Sequence, residues 1–167
     1  MGKTMFLNHL RHCFKVTVWN RTLFKCEELV EHCASIGETP VAVVKKCKYT
    51  IAMLSDPFAA LSVVFKKDGV LEKICEGKGY IDMSTVDADN SSKISMIALK
   101  SETRGNCKKC GQFLEAPVSG SKKPAEDGQL VILAAEEKIS QEVYYYKHLK
   151  FFTVTIGCLW RVSHHPI

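Results

Sequence analysis

Apolar side chains along this chain alternate between two spacings. Phe6, Leu10, Cys13 and Phe14 fall at i, i+4, i+7 and i+8, the stripe of an amphipathic helix. Residues 15–20 then carry the β-branched alternation of a strand. Helical spacing returns with Cys26, Leu29, Val30 and Cys33, and Thr39-Pro40 marks a further helix start, with proline where its missing N–H is not needed. Residues 49–54 read as a buried strand. Asp56-Pro57 caps the next helix, whose predicted face is Phe58, Leu61, Val64 and Phe65, and a shorter piece carries Leu71, Ile74 and Cys75. A strand at 80–83 follows, then a helix around Ile94, Ile97 and Ala98, a polar loop, a strand at 113–116, a Gly/Pro/Lys-rich turn and a strand at 130–134.

Helices alternating with short apolar strands predict an α/β fold, a doubly wound and mostly parallel sheet with helices on both faces. One feature departs from it. Such sheets open on their central strand, whereas this chain opens on a helix, and Gly2 is the only glycine before Gly37. The expectation is a sheet lacking its first strand, with an interior gap whose flanking backbone groups are unpaired unless the neighbours close together.

Composition adds limits rather than detail. With 167 residues, 46% hydrophobic and 25% charged, the chain suits one globular domain and excludes disordered, collagen-like and coiled-coil classes. The net charge of +5 comes from 23 basic and 18 acidic side chains scattered together, so no nucleic-acid stripe forms. Within residues 100–110, Lys100, Arg104, Lys108 and Lys109 face only Glu102, which reads as a basic surface loop in preference to a nucleic-acid patch. Eight cysteines spread from Cys13 to Cys158 suggest a reducing compartment rather than a disulfide scaffold. Cys107 and Cys110 have metal-site spacing, but no second pair follows and no metal is expected. No segment reaches the roughly 20 apolar residues of a membrane span. Met1 to Phe6 fits neither a secretory nor a myristoylation signal, leaving cytoplasmic as the default location.

Ligands of open α/β sheets bind beyond the carboxyl ends of the strands. Four polar clusters lie at such ends: Asn20-Arg21-Thr22, Met53-Leu54-Ser55-Asp56, Asp82-Met83-Ser84-Thr85, and Ala116-Pro117-Val118-Ser119-Gly120-Ser121. An acidic residue after the second strand of a dinucleotide fold would accept a bond from the adenosine ribose, whereas neutral Asn20 followed by Arg21 suits a 2′-phosphate. The cofactor implied is NADP (NADPH) rather than NAD. The plainer alternative is that Asn20 and Thr22 only cap the next helix.

These motifs, in this order, together with the segment from Met1 to Asn8, resemble the β-hydroxyacid dehydrogenase family, in particular its plant glyoxylate/succinic semialdehyde reductases. The likeness covers about residues 1–98 and 111–135. It implies a Rossmann-type NADPH-binding domain that serves hydride transfer to a small aldehyde bearing a carboxylate. By the same resemblance Gly2 matches the last glycine of the phosphate-binding turn, and Asn20, Arg21 and Thr22 match the adenosine-phosphate site. Met53, Leu54 and Ser55 line the cofactor, and Thr85 meets its nicotinamide end. Ser119, Gly120 and Ser121 hold the substrate carboxylate; a simple tight turn is their alternative reading.

Residues 100–110 look inserted, and residues 136–167 match nothing in the family, giving an expected division into a cofactor-binding domain at 1–135 and an unmatched tail. The tail contains Tyr144-Tyr145-Tyr146 and an apolar run at 151–160. The family's general-acid lysine has no counterpart, since Lys122 and Lys123 lie in the turn after the substrate loop. No catalytic residue is assigned, and little or no turnover is expected. Other outcomes are a reductase completed by association with a complete homologue, and a truncated or mis-spliced product without function.

Overall fold

The computed structural model describes residues 1–11, 13–85, 88–99 and 111–133. The basic loop at 100–110 with Cys107 and Cys110, and the tail at 136–167, lie outside the described residues. Among the described residues six α-helices and seven short strands follow in the order α1 Gly2–Arg11, β1 Thr17–Val18, α2 Glu27–Glu31, β2 Ser35–Ile36, α3 Pro40–Lys46, β3 Tyr49–Ala52, α4 Pro57–Phe65, β4 Gly79–Asp82, α5 Ala88–Leu99, β5 Gln112–Glu115, β6 Val118–Ser119, α6 Lys122–Glu126 and β7 Val131–Ile132. Single 3₁₀ turns at Leu23–Cys26 and Val70–Glu72 lead into or follow the helices.

The strands form three ladders. β1 pairs with β2 in parallel, β3, β4 and β5 form a parallel sheet in that order, and β6 pairs with β7 antiparallel. The expected interior gap is thus visible: among the described residues no ladder joins β1 to β3. Strand β2, the short β6 and helix α6 were not anticipated, because two to five residues carry too little periodicity to register.

Two apolar layers sandwich these strands. On one side Met5 and Phe6 of α1, Leu29 of α2 and Ala125 of α6 pack on Val16, Val18, Ile51, Ile81 and Leu114. On the other, Val43 and Val44 of α3, Ala60 and Val64 of α4 and Ile94 of α5 pack on Ala52, Tyr80 and Phe113. Alternation along β3 and β4 therefore supplies both cores, which is why those strands are buried at nearly every position.

The helix ends correct two sequence expectations. Cys13 and Cys33, read as members of buried stripes, are exposed, with φ of 63° and 72°. Each sits just past its helix in the left-handed conformation. The Cys13 N–H bonds to the Leu10 carbonyl and the Phe14 N–H to that of His9; Cys33 and Ala34 repeat this on Val30 and Leu29. These paired bonds close the last turn and point the capping side chain outward, while the following residue packs back, Phe14 against His9 and Ala34 beside Leu29.

A third correction concerns α4. Asp56 caps it as predicted, its Oδ1 accepting the Ala59 N–H at 2.8 Å, but the buried face is Ala60 and Val64, and Phe58 is 70% exposed. The Thr39 cap on α3 is also present, with Oγ1 accepting the Ala42 N–H at 3.2 Å. At the other end of α3, Lys78 Nζ donates to the carbonyls of Val44 at 2.6 Å and Cys47 at 2.7 Å, a cation on the negative end of the helix.

Candidate functional site

The carboxyl ends of β1 and β3 open into a cavity of about 500 Å³. Asn20, Arg21 and Thr22 line it from the β1 side, and Met53, Leu54 and Ser55 from the β3 side, so the fold brings together two of the clusters singled out in the sequence. Local bonds hold both. Asn20 Oδ1 accepts the Thr22 N–H at 3.0 Å, a tight polar turn that leaves Arg21 at its tip. The Leu54 N–H donates to Ser84 Oγ at 2.9 Å, and the Ser84 N–H donates to Asp82 Oδ1 at 2.9 Å. The loop after β3 is thereby tied to the end of β4.

Charge in this cavity is one-sided. Arg21, Lys25, Lys66 and Lys67 line it, and among the described residues no aspartate or glutamate does. Beside it the Asp56 carboxyl lies below its ordinary value, because it accepts the Ala59 N–H and the Ser55 hydroxyl and feels the Arg21 charge. Asp82 shifts the opposite way: burial raises its carboxyl, against the opposing bonds from Ser84, and Glu115 adds to the rise. On the wall of the cavity Thr50 Oγ1 is buried with no hydrogen-bond partner among the described residues. An elongated polyanion with hydroxyl groups fits this donor set.

Four of these lining residues escaped sequence reasoning. Lys25, Lys66 and Lys67 read as ordinary surface charge, and Phe58 was absorbed into a helix stripe. The exposed Phe58 ring carries Lys66 Nζ 5.4 Å from its centroid. The only signal in the sequence was the Lys66-Lys67 pair ending a helix next to a polar strand end.

The remaining candidates lie elsewhere. Gly2 is the first residue of α1 and half-buried, and Thr85 is exposed just after β4. Ser119 ends β6, Gly120 has φ +143°, and Ser121 precedes α6 without a side-chain cap. None of these five lines the cavity. A Cβ on Gly120 would meet Leu130 Cδ2 at 2.7 Å in a backbone conformation that other residues rarely adopt, so the turn requires glycine. Lys122 and Lys123 are exposed and pair with Glu126 at 3.5 Å and Asp127 at 3.0 Å. Among the described residues no cluster of three His, Cys, Asp or Glu could hold a metal, and no helix is long and apolar enough to cross a membrane.

Short parallel strands covered by helices on both faces, with an anion-accepting cavity outside their carboxyl ends, define a Rossmann-like nucleotide-binding domain. A family model describing the NAD binding domain of 6-phosphogluconate dehydrogenase matches residues 1–146, and the chain belongs to that family of NAD(P)-binding domains. It is 68% identical over 138 residues to glyoxylate/succinic semialdehyde reductase 1 of Arabidopsis thaliana, covering 83% of this chain and 45% of that protein. It is 45% identical over 138 residues to the cytokine-like nuclear factor N-PAC of Homo sapiens, covering 83% of this chain and 24% of that protein. The chain therefore spans less than half the length of these relatives. The solved structure of Psf3 in complex with NADP+ and 2-OPP shares the fold, with a TM-score of 0.77 and 21% identity over 93% of this chain and 52% of that one.

Proposed function

We propose that this chain binds NADPH in preference to NADH and forms the cofactor-holding part of a reductase for small aldehydes that carry a carboxylate. The observation that carries the proposal is the cavity lined by Arg21, Lys25, Lys66 and Lys67 with no carboxylate among the described residues, next to the neutral Asn20. A 2′-phosphate adds about 1.5 to 2 negative charges at neutral pH, and such a wall favours it over a bare hydroxyl. In this assignment Asn20, Arg21 and Thr22 take the adenosine phosphate and Met53, Leu54 and Ser55 flank the body of the cofactor. Gly2 lies toward the pyrophosphate and Thr85 toward the nicotinamide, while Ser119, Gly120 and Ser121 take the substrate carboxylate. The names of the Arabidopsis reductases and the NADP+ bound in the Psf3 structure support this choice.

The cofactor supplies hydride when bound. Among the described residues proton delivery to the forming alkoxide has no assigned donor, since Lys122 and Lys123 are exposed and engaged with Glu126 and Asp127. General-acid help is worth about 10²- to 10⁴-fold, so the described residues account for holding the cofactor and not for rapid reduction.

Titration with NADPH and with NADH, followed by Trp19 fluorescence and thermal unfolding, tests the proposal. Trp19 lines the cavity, so its emission reports occupancy. At a hundredfold excess over Kd a ligand confined to the folded state stabilises it by about 2.7 kcal/mol. Saturable stabilisation by NADPH at concentrations where NADH has none is the expected result. A folded sample indifferent to both nucleotides would sink it.

A further inference from the structure

Phe58 puts a large apolar ring where helix α4 meets water. Ala60 and Val64 of the same helix are buried at 0% and 1% exposure, whereas Phe58 is open. A single exposed apolar side chain is ordinary, but this one lines the cavity that Asn20, Arg21 and Thr22 enter from the β1 side. The backbone that carries it is also fixed. Asp56 Oδ1 accepts the Ala59 N–H at 2.8 Å, the Ser55 hydroxyl donates to Asp56 Oδ2 at 2.8 Å, and Pro57 opens the helix with its φ already set. The ring therefore stands at a defined place on the cavity wall.

One face of that ring is taken. From the far end of α4, Lys66 sets its Nζ over it at 5.4 Å from the centroid. The rest of the ring is open, and the charges around it select what can lie there. Arg21, Lys25, Lys66 and Lys67 line the same cavity, so a cationic ring is repelled and a neutral flat ring next to a phosphate is welcome. Of the two bases of an oxidised nicotinamide dinucleotide, nicotinamide is cationic and adenine is neutral at physiological pH. Adenine is also the base whose ribose carries the 2′-phosphate.

We propose, resting on the cofactor reading above, that Phe58 is the stacking platform of the adenine base, which lies on the ring surface that Lys66 leaves open. Stacking on an aromatic side chain needs only the π-face of the base. NADPH and NADH share that face, so Phe58 sets the affinity for both, and the choice between them is left to the cations. The ring and the charges of one cavity thus divide binding from selectivity.

The test is calorimetric titration of the whole chain with NADPH and with NADH, in the wild type, Phe58→Leu and Phe58→Tyr. Leucine keeps apolar bulk and removes the ring; tyrosine keeps the ring. Thermal unfolding checks that all three are folded, as an exposed position allows. Phe58→Leu should weaken both nucleotides by one common factor of at least about five, and Phe58→Tyr should stay within about twofold of the wild type. Each of the following overturns the proposal. Wild-type affinities in Phe58→Leu mean that the base lies off the ring, while the cofactor reading stands. A loss confined to NADPH means that the ring acts only by holding Lys66 for the 2′-phosphate. An equal loss in Phe58→Tyr means that the ring is not what the nucleotide meets. A folded wild-type chain that binds neither nucleotide removes the cofactor reading and this one with it.

Discussion

Replacing Ser84 by alanine removes the bond that ties the two cofactor-side loops together, along with the hydroxyl's own bond to the Asp82 carboxyl. Ser84 is 3% exposed, and its hydroxyl accepts the Leu54 N–H at 2.9 Å across a sequence separation of 30 residues. Removing the hydroxyl leaves that amide without an acceptor in a half-buried loop, while the Ser84 N–H keeps its bond to Asp82 Oδ1 because the donor is backbone. A stranded buried donor costs about 1–3 kcal/mol; partial access of water to Leu54 places the loss in the lower half, about 1–2 kcal/mol. With a urea dependence of about 1–3 kcal/mol per molar, the unfolding midpoint should fall by roughly 0.5–1.5 M with an unchanged slope. The same variant should weaken NADPH and NADH alike, since it loosens the Met53–Leu54–Ser55 wall without touching a charge. A midpoint within about 0.2 M of the wild type would refute the reasoning, because the Leu54 amide would then be satisfied without Ser84.

Arg21→Ala should lower NADPH affinity about tenfold and leave NADH unchanged, as expected for a charge-assisted contact to the 2′-phosphate discounted for exposure; equal losses for both nucleotides in calorimetry would remove Arg21 from that role. Burial raises the Asp82 carboxyl above its ordinary 3.8, so its contribution to stability is complete below that value and is lost as pH rises through the higher folded value. Asp82→Asn keeps the acceptor for Ser84 and should remove that decline, and parallel stability curves for the two proteins between acid and neutral pH would contradict it. Ile94→Ala, at a fully buried position, should cost about 2–5 kcal/mol in urea unfolding, whereas Phe58→Ala on the exposed face should stay within about 0.5 kcal/mol; the reverse order would restore the predicted face of α4.

Much of this protein is decided locally and is therefore legible in its sequence. The strands at Tyr49–Ala52, Gly79–Asp82 and Gln112–Glu115 announce themselves because both faces of the sheet are buried at their middle positions, where apolar side chains are required. Thr39 and Asp56 cap helices from three residues away, a distance at which sequence and structure are nearly the same thing. The polar clusters at the strand ends are legible for the same reason, since chain reversal and ligand contact occur within a few residues of each other.

Only the tertiary structure decided which of those clusters meet. Arg21 and Ser55 line one cavity because α3 packs on both β1 and β3, while Thr85 and the Ser119–Ser121 turn lie outside it. Cys13, Cys33 and Phe58 kept helical spacing yet turned outward, because periodicity assigns a residue to a face without saying where the helix ends or how wide its buried stripe is. The basic lining of the cavity arises likewise from Lys25 and the Lys66-Lys67 pair, distant in sequence and ordinary one by one, which acquire meaning when packing sets their charges around a common space with no carboxylate among the described residues.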